Sequence, residues 1–529
     1  MAKMNSSKDF HERQSNSLSS NISREANCFG KRHILVFLGF LGFANVYALR
    51  VNLSVALVAM VNSTHANVNS EGKSHECSVD SSTSDKNEDG TFKWDQHTQG
   101  IILGSFFYGY VFTQLPGGWI AAKYGAKRVF GFAVFVTSAL TLLTPLAANF
   151  SVYALIALRI LEGLAEGVTF PAMHAMWSYW APPLERTKLL TVTYVGPQFG
   201  TIIAYPLSGW LCANGFAGGW PSVFYVFGTL GFLWFFAWMY FAHDTPRDHP
   251  TISKEELEYI ETTVGEEQDH LTPKDQGYKT PWKAIMTSFP VWSIIVCFFC
   301  YYWSFYTLLT NMPTYFKDIL GVNISENGFI SAIPYICNFL SCVAFGNISD
   351  YVRRRGLCST EDVRKVATTA GLVAAASSLI GASFVQCHQT ALAVFFLSFA
   401  LIGGGCTQSG FATNHLDIGA RYGGVLMAIT NIAATISGIV APYVVGLLTN
   451  KKPTRHQWQV VFVIAASFNV FGMIFFLFFA SGTEQTWNRP ENCCDSLNVN
   501  SEDDALCNPR SPLVKESDSH HLSNQMVKS

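Results

Sequence analysis

The chain alternates between long apolar stretches and short polar segments. The stretches lack the alternating pattern of a membrane β-barrel. They predict membrane-spanning α-helices, because a helix satisfies its own backbone hydrogen bonds in lipid. A span needs about 20 mostly apolar residues to cross a core of about 30 Å. On this basis we predict about twelve spans, at roughly 34–60, 99–121, 129–148, 151–178, 189–212 and 221–242, and then at 288–315, 327–348, 366–386, 390–413, 423–448 and 458–480.

Positive charge in the connecting segments predicts the orientation of the spans. If the spans alternate, most basic residues outside them lie on one side, and cytoplasmic loops carry an excess of Lys and Arg. We therefore place this side, and both termini, in the cytoplasm. The loop with Lys451, Lys452 and Arg455 departs from the rule. The basic residues that agree with the rule include Lys31, Arg32, Lys123, Lys127, Arg128, Arg186, Lys188, Arg353, Arg354, Arg355, Arg364 and Lys365.

The polar segments divide the chain into five parts and one large outer loop. Residues 34–242 and 288–480 are predicted to form two six-helix halves, and 243–287 a charged cytoplasmic linker. The polar tails 1–33 and 481–529 are predicted to be disordered in the cytoplasm. The acidic, Ser- and Asn-rich segment 61–97 is predicted to form an outer loop, and Asn62 in it is a candidate glycosylation site.

Composition supports a membrane protein and offers nothing for catalysis. Hydrophobic residues make up 49% of the 529 residues and charged residues 14%, whereas a soluble protein carries about 25% charge. The net charge of −2 gives no reason to expect a nucleic-acid partner. We find no phosphate-binding glycine loop and no metal-ligand spacing, so we predict no enzyme activity, cofactor or metal. Most of the 13 Cys residues lie in apolar runs and are predicted to be buried thiols.

Two loops of similar sequence follow the second and the eighth spans. They are 118–128 (GWIAAKYGAKR) and 346–355 (GNISDYVRRR). Each places a Gly at a helix end and a basic cluster after it, which predicts a repeat between the two halves. Two ordinary basic cytoplasmic loops are the alternative. In the second loop the acidic residue Asp350 follows Gly346 by four residues, whereas Ala122 stands at the same distance from Gly118 in the first loop. The predicted conformational motifs comprise Gly118, Lys127, Arg128, Gly346, Asp350 and Arg353.

An arginine lies well inside the first predicted span. Charged residues within spans are costly and are candidates for function. Arg50 shares a helix face with Tyr47 and Ser54. Its guanidinium can hold a carboxylate or a phosphate at two points. The alternative is a structural pair with an acidic residue on another helix.

The fourth predicted span contains four ionisable residues: Arg159, Glu162, Glu166 and His174. A continuous helix would place all four on one face. We expect Arg159 to form a structural charge pair with one carboxylate. The carboxylate with fewer partners, for which we favour Glu166, would carry a proton. His174 could also titrate, or it could pack between helices through hydrogen bonds.

Several strings resemble the organic anion transporter family of the major facilitator superfamily, which contains sialin, the vesicular glutamate transporters and the type-1 phosphate transporters. They are 47–54 (YALRVNLS), 104–110 (GSFFYGY), 166–174 (EGVTFPAMH), 180–186 (WAPPLER) and 414–418 (NHLDI). The resemblance extends from about residue 34 to 480 and is strongest to the sialin-like members. It implies an all-α fold of twelve transmembrane helices in two six-helix halves.

The resemblance also implies roles for particular residues. Arg50 would bind the substrate carboxylate, and Glu162 and Glu166 would take part in proton coupling, with His174 as a further candidate. Leu103 and Tyr302 depart from the glutamate-carrier pattern and favour a substrate with one main carboxylate. The residues expected to line the central cavity are Tyr47, Phe107, Tyr194, Tyr301 and Tyr306.

The function expected from this resemblance is proton-coupled secondary transport of small organic anions by alternating access. The expected substrates are sialic acid, acidic sugars and acidic amino acids, and the protein is expected to act as a monomer in a lipid bilayer. Sodium-dependent phosphate cotransport, vesicular transport of excitatory amino acids, and a non-transporting receptor or scaffold are the alternatives. The lysosomal membrane is the expected location, with the synaptic vesicle and the plasma membrane as alternatives.

Overall fold

The computed structural model describes residues 30–61, 90–182, 185–271, 280–387, 389–450 and 453–488. These residues are almost entirely helical, and the bridge recorded among them joins Val61 to Phe92. The first half contains α1 (Lys31–Met60), α2 (Gln96–Gln114), α3 (Gly117–Tyr124), α4 (Ala126–Phe150), α5 (Val152–Glu166), α6 (Thr169–Trp180), α7 (Arg186–Tyr194), α8 (Gly196–Asn214) and α9 (Trp220–Phe241).

The linker and the second half supply the remaining helices. Short 3-10 turns lie at Pro246–Asp248, Ala420–Tyr422 and Thr486–Asn488. The α-helices are α10 (Lys254–Leu271), α11 (Trp282–Thr287), α12 (Phe289–Asp318), α13 (Ile324–Arg354), α14 (Thr360–Ser383), α15 (Thr390–Gln408), α16 (Asn414–Gly419), α17 (Gly423–Thr449) and α18 (Arg455–Phe479).

Within the described residues, nine helices are long and apolar enough to cross a membrane: α1, α4, α9, α12, α13, α14, α15, α17 and α18. The other three predicted spans are each divided into two helices, namely α2 with α3, α5 with α6, and α7 with α8. Pro116 precedes α3, Gly167 follows α5, and Pro197 lies at the start of α8. Proline lacks the N–H that a continuous helix requires, and glycine weakens a helix interior. Each of these three predicted spans is therefore interrupted by a short turn, and the all-α polytopic fold is confirmed.

Short polar side chains begin several helices by accepting hydrogen bonds from free backbone N–H groups. Asp95 accepts from Thr98 at the start of α2, and Asn323 accepts from Glu326 at the start of α13, both at 2.9 Å. Ser359 and Thr454 act in the same way at α14 and α18. These residues end the apolar runs and satisfy the first backbone donors of the following helix.

We use "basic end" for the end of the bundle at Lys127 and Arg353, and "outer end" for the opposite end, at residues 90–95 and 319–323. At the outer end the two halves are in contact. Gly209 of α8 and Gly328 of α13 lie so close that a Cβ on either would be 3.0 Å from the other's Cα. Gly100 of α2 similarly faces Pro442 and Gly446 of α17. The small residues allow the helix backbones to approach closely.

Polar contacts also join the two halves at the outer end. The Gln96 amide donates to Asp318 Oδ2 at 2.9 Å, and Lys317 Nζ donates to the carbonyl of Val58 at 2.7 Å. The ring of His97 lies 5.3 Å from that of Tyr443, centroid to centroid. The described structure is therefore closed between the halves at this end.

The linker is more than a charged connection, because α10 packs on the first half. Tyr259, Ile260 and Val264 are buried in the same apolar cluster as residues of α1 and α6. Glu256 accepts hydrogen bonds from the backbone N–H groups of Lys31 and Arg32, at 2.8 and 3.1 Å. The linker helix is thus fixed at the beginning of α1.

The predicted disordered tail begins at 481, but the chain up to Asn488 is packed against the second half. The Gln485 N–H donates to the carbonyl of Ile418 at 2.9 Å, and the Trp487 ring lies against Gly419. Residues 30–33, at the other terminus, already belong to the cap and first turn of α1. The packed region therefore extends beyond both predicted boundaries.

Candidate substrate-binding site

Arg50 lies in the middle of α1 and is enclosed by aromatic rings. Its guanidinium carbon is 4.5 Å from the ring centre of Tyr47, 4.7 Å from that of Phe106 and 4.9 Å from that of Tyr110. Phe107 lies slightly farther away, at 5.9 Å. Cations are attracted to the faces of such rings, so the group stabilises a positive charge that is only 4% exposed.

Glu166, the last residue of α5, forms an ion pair with Arg50. Arg50 Nε donates to Glu166 Oε1 at 3.0 Å, and Nη2 donates to the same oxygen. The side chain of Glu166 is fully buried, and its second oxygen, Oε2, has no hydrogen-bond partner among the described residues. We expected Glu166 to be the carboxylate with fewer partners; in the structure it has an arginine, but on α1 instead of on its own helix.

Arg159 and Glu162 form a second buried ion pair within α5. Arg159 Nη1 donates to Glu162 Oε2 at 2.5 Å, and the two side chains are 3% and 1% exposed. Thr141 of α4 donates to the other Glu162 oxygen at 3.2 Å. Arg159 Nη2 also donates to the carbonyl of Arg50 at 3.2 Å. Both oxygens of Glu162 are therefore engaged, in contrast to those of Glu166.

Close packing of α2 against α5 holds these four charges together. A Cβ on Gly163 would overlap the carbonyl of Phe106, and one on Gly109 would overlap that of Ile160. The absence of a side chain at Gly163 and Gly109 therefore permits the close approach of the two helices. The ring of Phe106 lies between the two arginines, 5.4 Å from the guanidinium carbon of Arg159. Two arginines and two glutamates thus form a neutral group in the apolar interior.

His174 lies in a different helix from these charges. The helix is broken between Glu166 and Thr169, and His174 belongs to the following segment, α6. Its Nδ1 lies 2.7 Å from the Tyr194 hydroxyl and 3.0 Å from the carbonyl of Phe170. The rings of His174 and Tyr194 are stacked, with centroids 4.9 Å apart. The hydrogen-bond partners of His174 in the described residues are thus Tyr194 and Phe170, and the three charged residues of α5 are not among them.

The second half supplies a row of tyrosines on α12 to the same region. The Tyr306 ring is 4.6 Å from that of Phe107, which links the two halves beside Arg50. Tyr302 lies 5.4 Å from Tyr306, and Tyr301 lies 5.0 Å from Tyr302. Of the expected cavity residues, Tyr47, Phe107, Tyr301 and Tyr306 belong to this group, whereas the contacts of Tyr194 are with Phe43, Phe170 and His174.

Three residues in this region were not singled out from the sequence: Phe106, Tyr110 and Thr141. Phe106 and Tyr110 belong to the quoted string 104–110 and stand four residues apart, so they share a helix face. That spacing could have identified them. Nothing local to Thr141 indicates its contact with Glu162, because the two residues lie on different helices.

At the basic end of the first half, the loop 118–128 has its acidic partner, Asp244, in the segment that follows α9. Asp244 accepts from the backbone N–H of Lys127 at 2.7 Å and lies at the start of α4, where a negative charge is favourable. Gly125 has φ +88°, and a Cβ there would be 2.7 Å from Asp244 Oδ2, so both its conformation and its space require glycine. Gly118 is within α3, and Arg128 is exposed.

In the second half, the acidic partner is also remote in sequence. Asp417 lies 2.7 Å from Arg364 Nε and 3.9 Å from Arg353 Nη2. Asp350 is exposed and has no ion pair within the described chain, and nothing surrounds the Cβ position of Gly346. In this structure the acidic partner of Arg353 and Arg364 is therefore Asp417. In both halves, an aspartate that is remote in sequence contacts the basic loop: Asp244 in the first half and Asp417 in the second.

Two further features belong to the predicted outer side of the protein: the candidate glycosylation site and the loop that contains Cys387. Asn62, the candidate glycosylation site, lies outside the described residues. Cys387, in the connection between α14 and α15, is disulfide-bonded. Disulfides persist in oxidising compartments, which agrees with the predicted outer position of this loop. Cys297 and Cys300 are buried free thiols, as expected for cysteines within apolar runs.

Comparison with known proteins identifies relatives that cover most of the chain. Sialin from Ovis aries is 48% identical over 463 residues, which are 87% of this chain and 91% of that protein. Sialin from Homo sapiens is 47% identical over the same length. Vesicular glutamate transporter 3 from Danio rerio is 43% identical over 473 residues, 89% of this chain and 77% of that protein.

Solved structures show the same fold at low sequence identity. A bacterial homologue of the human lysosomal transporter Spinster superposes with a TM-score of 0.65 at 15% identity, covering 86% of this chain and 99% of that chain. The xylose transporter XylE from E. coli gives 0.62 at 13% identity, over 85% of this chain and 96% of that one. The predicted fold of two six-helix halves is thereby confirmed, and transporter relatives agree with the prediction that the chain is not an enzyme.

The model of the Major Facilitator Superfamily matches residues 34–442. This match and the relatives establish a multi-pass membrane protein. The chain belongs to the Major Facilitator Superfamily and, within it, to the organic anion transporters related to sialin and the vesicular glutamate transporters.

Proposed function

We propose that this protein is a proton-coupled transporter of small organic anions, with sialic acid and other acidic sugars as substrates and acidic amino acids as additional ones. The observation that carries this proposal is the buried pair of Arg50 and Glu166, which has aromatic residues of both halves around it. A guanidinium with five donors suits a carboxylate. The aromatic rings would enclose the body of the substrate.

The pair suggests how a proton and an anion are coupled. Glu166 occupies the donors of Arg50 that a substrate carboxylate would use. A proton on Glu166 removes its negative charge, and the free oxygen Oε2 offers a position for that proton. Arg50 would then exchange its ion pair with Glu166 for one with the substrate. Proton and anion would therefore bind together and cross the membrane together.

The second pair has a different role in this proposal. Both oxygens of Glu162 are held by Arg159 and Thr141. Arg159 also bonds the carbonyl of Arg50, so the pair fixes the position of the substrate arginine. Glu166 is then the proton carrier and Glu162 the structural partner. His174, which contacts Tyr194 at the end of α7, would provide a separate proton-binding group.

Alternating access would proceed by separation of the two halves at the outer end and their approach at the basic end. Contacts of Gly209 with Gly328 and of Gln96 with Asp318 would break in that step. The charge pairs Arg364–Asp417 and Arg353–Asp417 lie at the basic end, where the opposite closure would occur. We place the basic end in the cytoplasm and the protein in the lysosomal membrane.

The variant Arg50→Lys tests the proposed substrate clamp. Lysine keeps the charge but loses the planar fork, so uptake of labelled sialic acid by proteoliposomes should fall severely. Arg247→Lys is the matched control, because Arg247 is exposed on the linker. Near-normal uptake by Arg50→Lys, with unchanged protein in the vesicles, would contradict the assignment.

Ion dependence separates this function from sodium-linked phosphate transport. Uptake should respond to an imposed pH gradient in the absence of sodium. A requirement for sodium, with inorganic phosphate as the preferred anion, would support the alternative. Measurable counterflow of a labelled anion would exclude a non-transporting receptor.

A further inference from the structure

Tyr205 of α8 is a first-half side chain that packs against the second half. It is fully buried and belongs to the same apolar cluster as Tyr306, Leu309 and Tyr335. Its ring is stacked on that of Tyr335 of α13, with centroids 5.3 Å apart and planes inclined by 24°. The Tyr205 hydroxyl donates a hydrogen bond to the carbonyl of Leu309 in α12 at 2.7 Å. A single side chain thus joins α8 to two helices of the other half.

The Leu309 carbonyl can accept this bond because a proline stands one turn later. In a continuous helix the carbonyl of residue 309 would accept from the N–H of residue 313. That residue is Pro313, which lies inside α12 and has no N–H. A backbone carbonyl without a partner is costly in the apolar interior of a membrane protein. The Tyr205 hydroxyl of the first half therefore takes the place of a missing backbone donor in the second half.

This hydrogen bond lies between the candidate substrate-binding site and the closed outer end. On α12, Leu309 comes three residues after Tyr306, whose ring contacts Phe107 of the first half in the candidate site. On α8, Tyr205 comes one turn before Gly209, where the two halves approach closely at the outer end. Separation of the halves at the outer end must therefore break the bond between the tyrosine hydroxyl and the carbonyl.

We propose that Tyr205 is a positioning residue of the transport cycle, whose hydroxyl stabilises the outer-closed state through the carbonyl that Pro313 leaves free. The inference rests on the alternating access of the proposed function and names a contact that sets the balance between its two states. In the outer-closed state the carbonyl depends on the hydroxyl, because the surroundings are apolar. When the outer end opens, water can enter between the halves and satisfy the same carbonyl. Removal of the hydroxyl therefore destabilises the closed state selectively.

The variant Tyr205→Phe tests this role, because it keeps the ring and its stacking on Tyr335 but removes the hydroxyl. Spin labels attached through non-natural amino acids at Tyr153 and Gln389 report the distance between the halves, since both positions are exposed at the outer end. The full-length chain is measured in lipid nanodiscs without substrate. Loss of one hydrogen bond should increase the ratio of outer-open to outer-closed protein about three- to tenfold. Tyr240→Phe, at an exposed position of α9, is the matched control and should leave the ratio unchanged.

A second variant tests the part played by the proline. Pro313→Ala restores an N–H that can bond the Leu309 carbonyl within α12, so that Tyr205→Phe should change the ratio by less than about twofold in this background. An unchanged ratio in Tyr205→Phe would overturn the inference. So would an equal effect of Tyr205→Phe with and without Pro313. A purely structural role of Tyr205 would lower Tm and leave the ratio as it is.

Arg50→Lys separates this inference from the proposed substrate clamp, because the distances are measured without substrate. If Tyr205→Phe shifts the ratio and Arg50→Lys spares uptake of sialic acid, the clamp fails and the role of Tyr205 stands. If Arg50→Lys abolishes uptake and Tyr205→Phe leaves the ratio unchanged, only the role of Tyr205 fails.

Discussion

The ion pair of Arg159 and Glu162 offers a quantitative test of the charge assignment in α5. The variant Glu162→Gln removes the negative charge and keeps the shape of the side chain. Arg159 is 3% exposed and would remain buried without its carboxylate. Breaking a buried pair in this way typically costs about 3–5 kcal/mol.

We expect a loss near the lower limit of that range. Arg159 would keep its hydrogen bond to the carbonyl of Arg50, at 3.2 Å. Glutamine could still accept one hydrogen bond, although a neutral acceptor is weaker than a charged one. A loss of about 3 kcal/mol corresponds to a fall in Tm of about 6–12 °C for a unit of 150–250 residues. Each six-helix half is of roughly this size.

The measurement is thermal unfolding of the purified protein, followed by tryptophan fluorescence. The double variant Arg159→Met, Glu162→Leu removes both charges and should recover most of the loss, because apolar residues can replace a buried pair at little cost. Glu261→Gln, which removes an exposed partner of Arg247 on the linker, is the control and should leave Tm unchanged. A Tm for Glu162→Gln within about 1 °C of the unaltered protein would refute the reasoning. So would a double variant as unstable as the single one.

Three further predictions address coupling, alternating access and the linker. Glu166→Gln should mimic the protonated state, so that substrate exchange survives while acceleration by a pH gradient is lost; full acceleration in vesicle uptake would exclude Glu166 as the carrier. Gly209→Leu should place side-chain atoms against Gly328 and destabilise the closed outer end by about 1–3 kcal/mol. The population open at the outer end should then increase, as measured by distances between spin labels on the two halves; an unchanged distance distribution would contradict it. Burial lowers the pKa of His249 and of His243, with nearby positive groups as a further cause. The neutral forms are therefore favoured in the folded protein, and the resulting stability is present above the ordinary pKa of about 6.5 and is lost as pH falls below it. Proteolysis within α10 should accordingly be faster at pH 5.5 than at pH 7.5, and equal rates, after correction for protease activity, would argue against this.

The sequence by itself determined the membrane-spanning helices and the residues that carry charge within them. Apolar runs of sufficient length leave few alternatives in lipid, because each segment must satisfy its own backbone hydrogen bonds. The same reasoning identified Arg50 and the carboxylates of α5, since a charge in such a run is costly unless it is paired or functional. The strings around these residues were also sufficient to indicate the family.

Only the tertiary structure decided how the charges are paired. Arg50 and Glu166 are 116 residues apart, and Arg364 and Asp417 are 53 apart. Helical periodicity describes the faces of one helix and contains no information about which helix lies opposite. The contact of His174 with Tyr194, 20 residues away in the chain, was likewise decided by tertiary structure. Pairing depends on close approach of helices at Gly109 and Gly163, and thus on packing across the bundle, which no local pattern specifies.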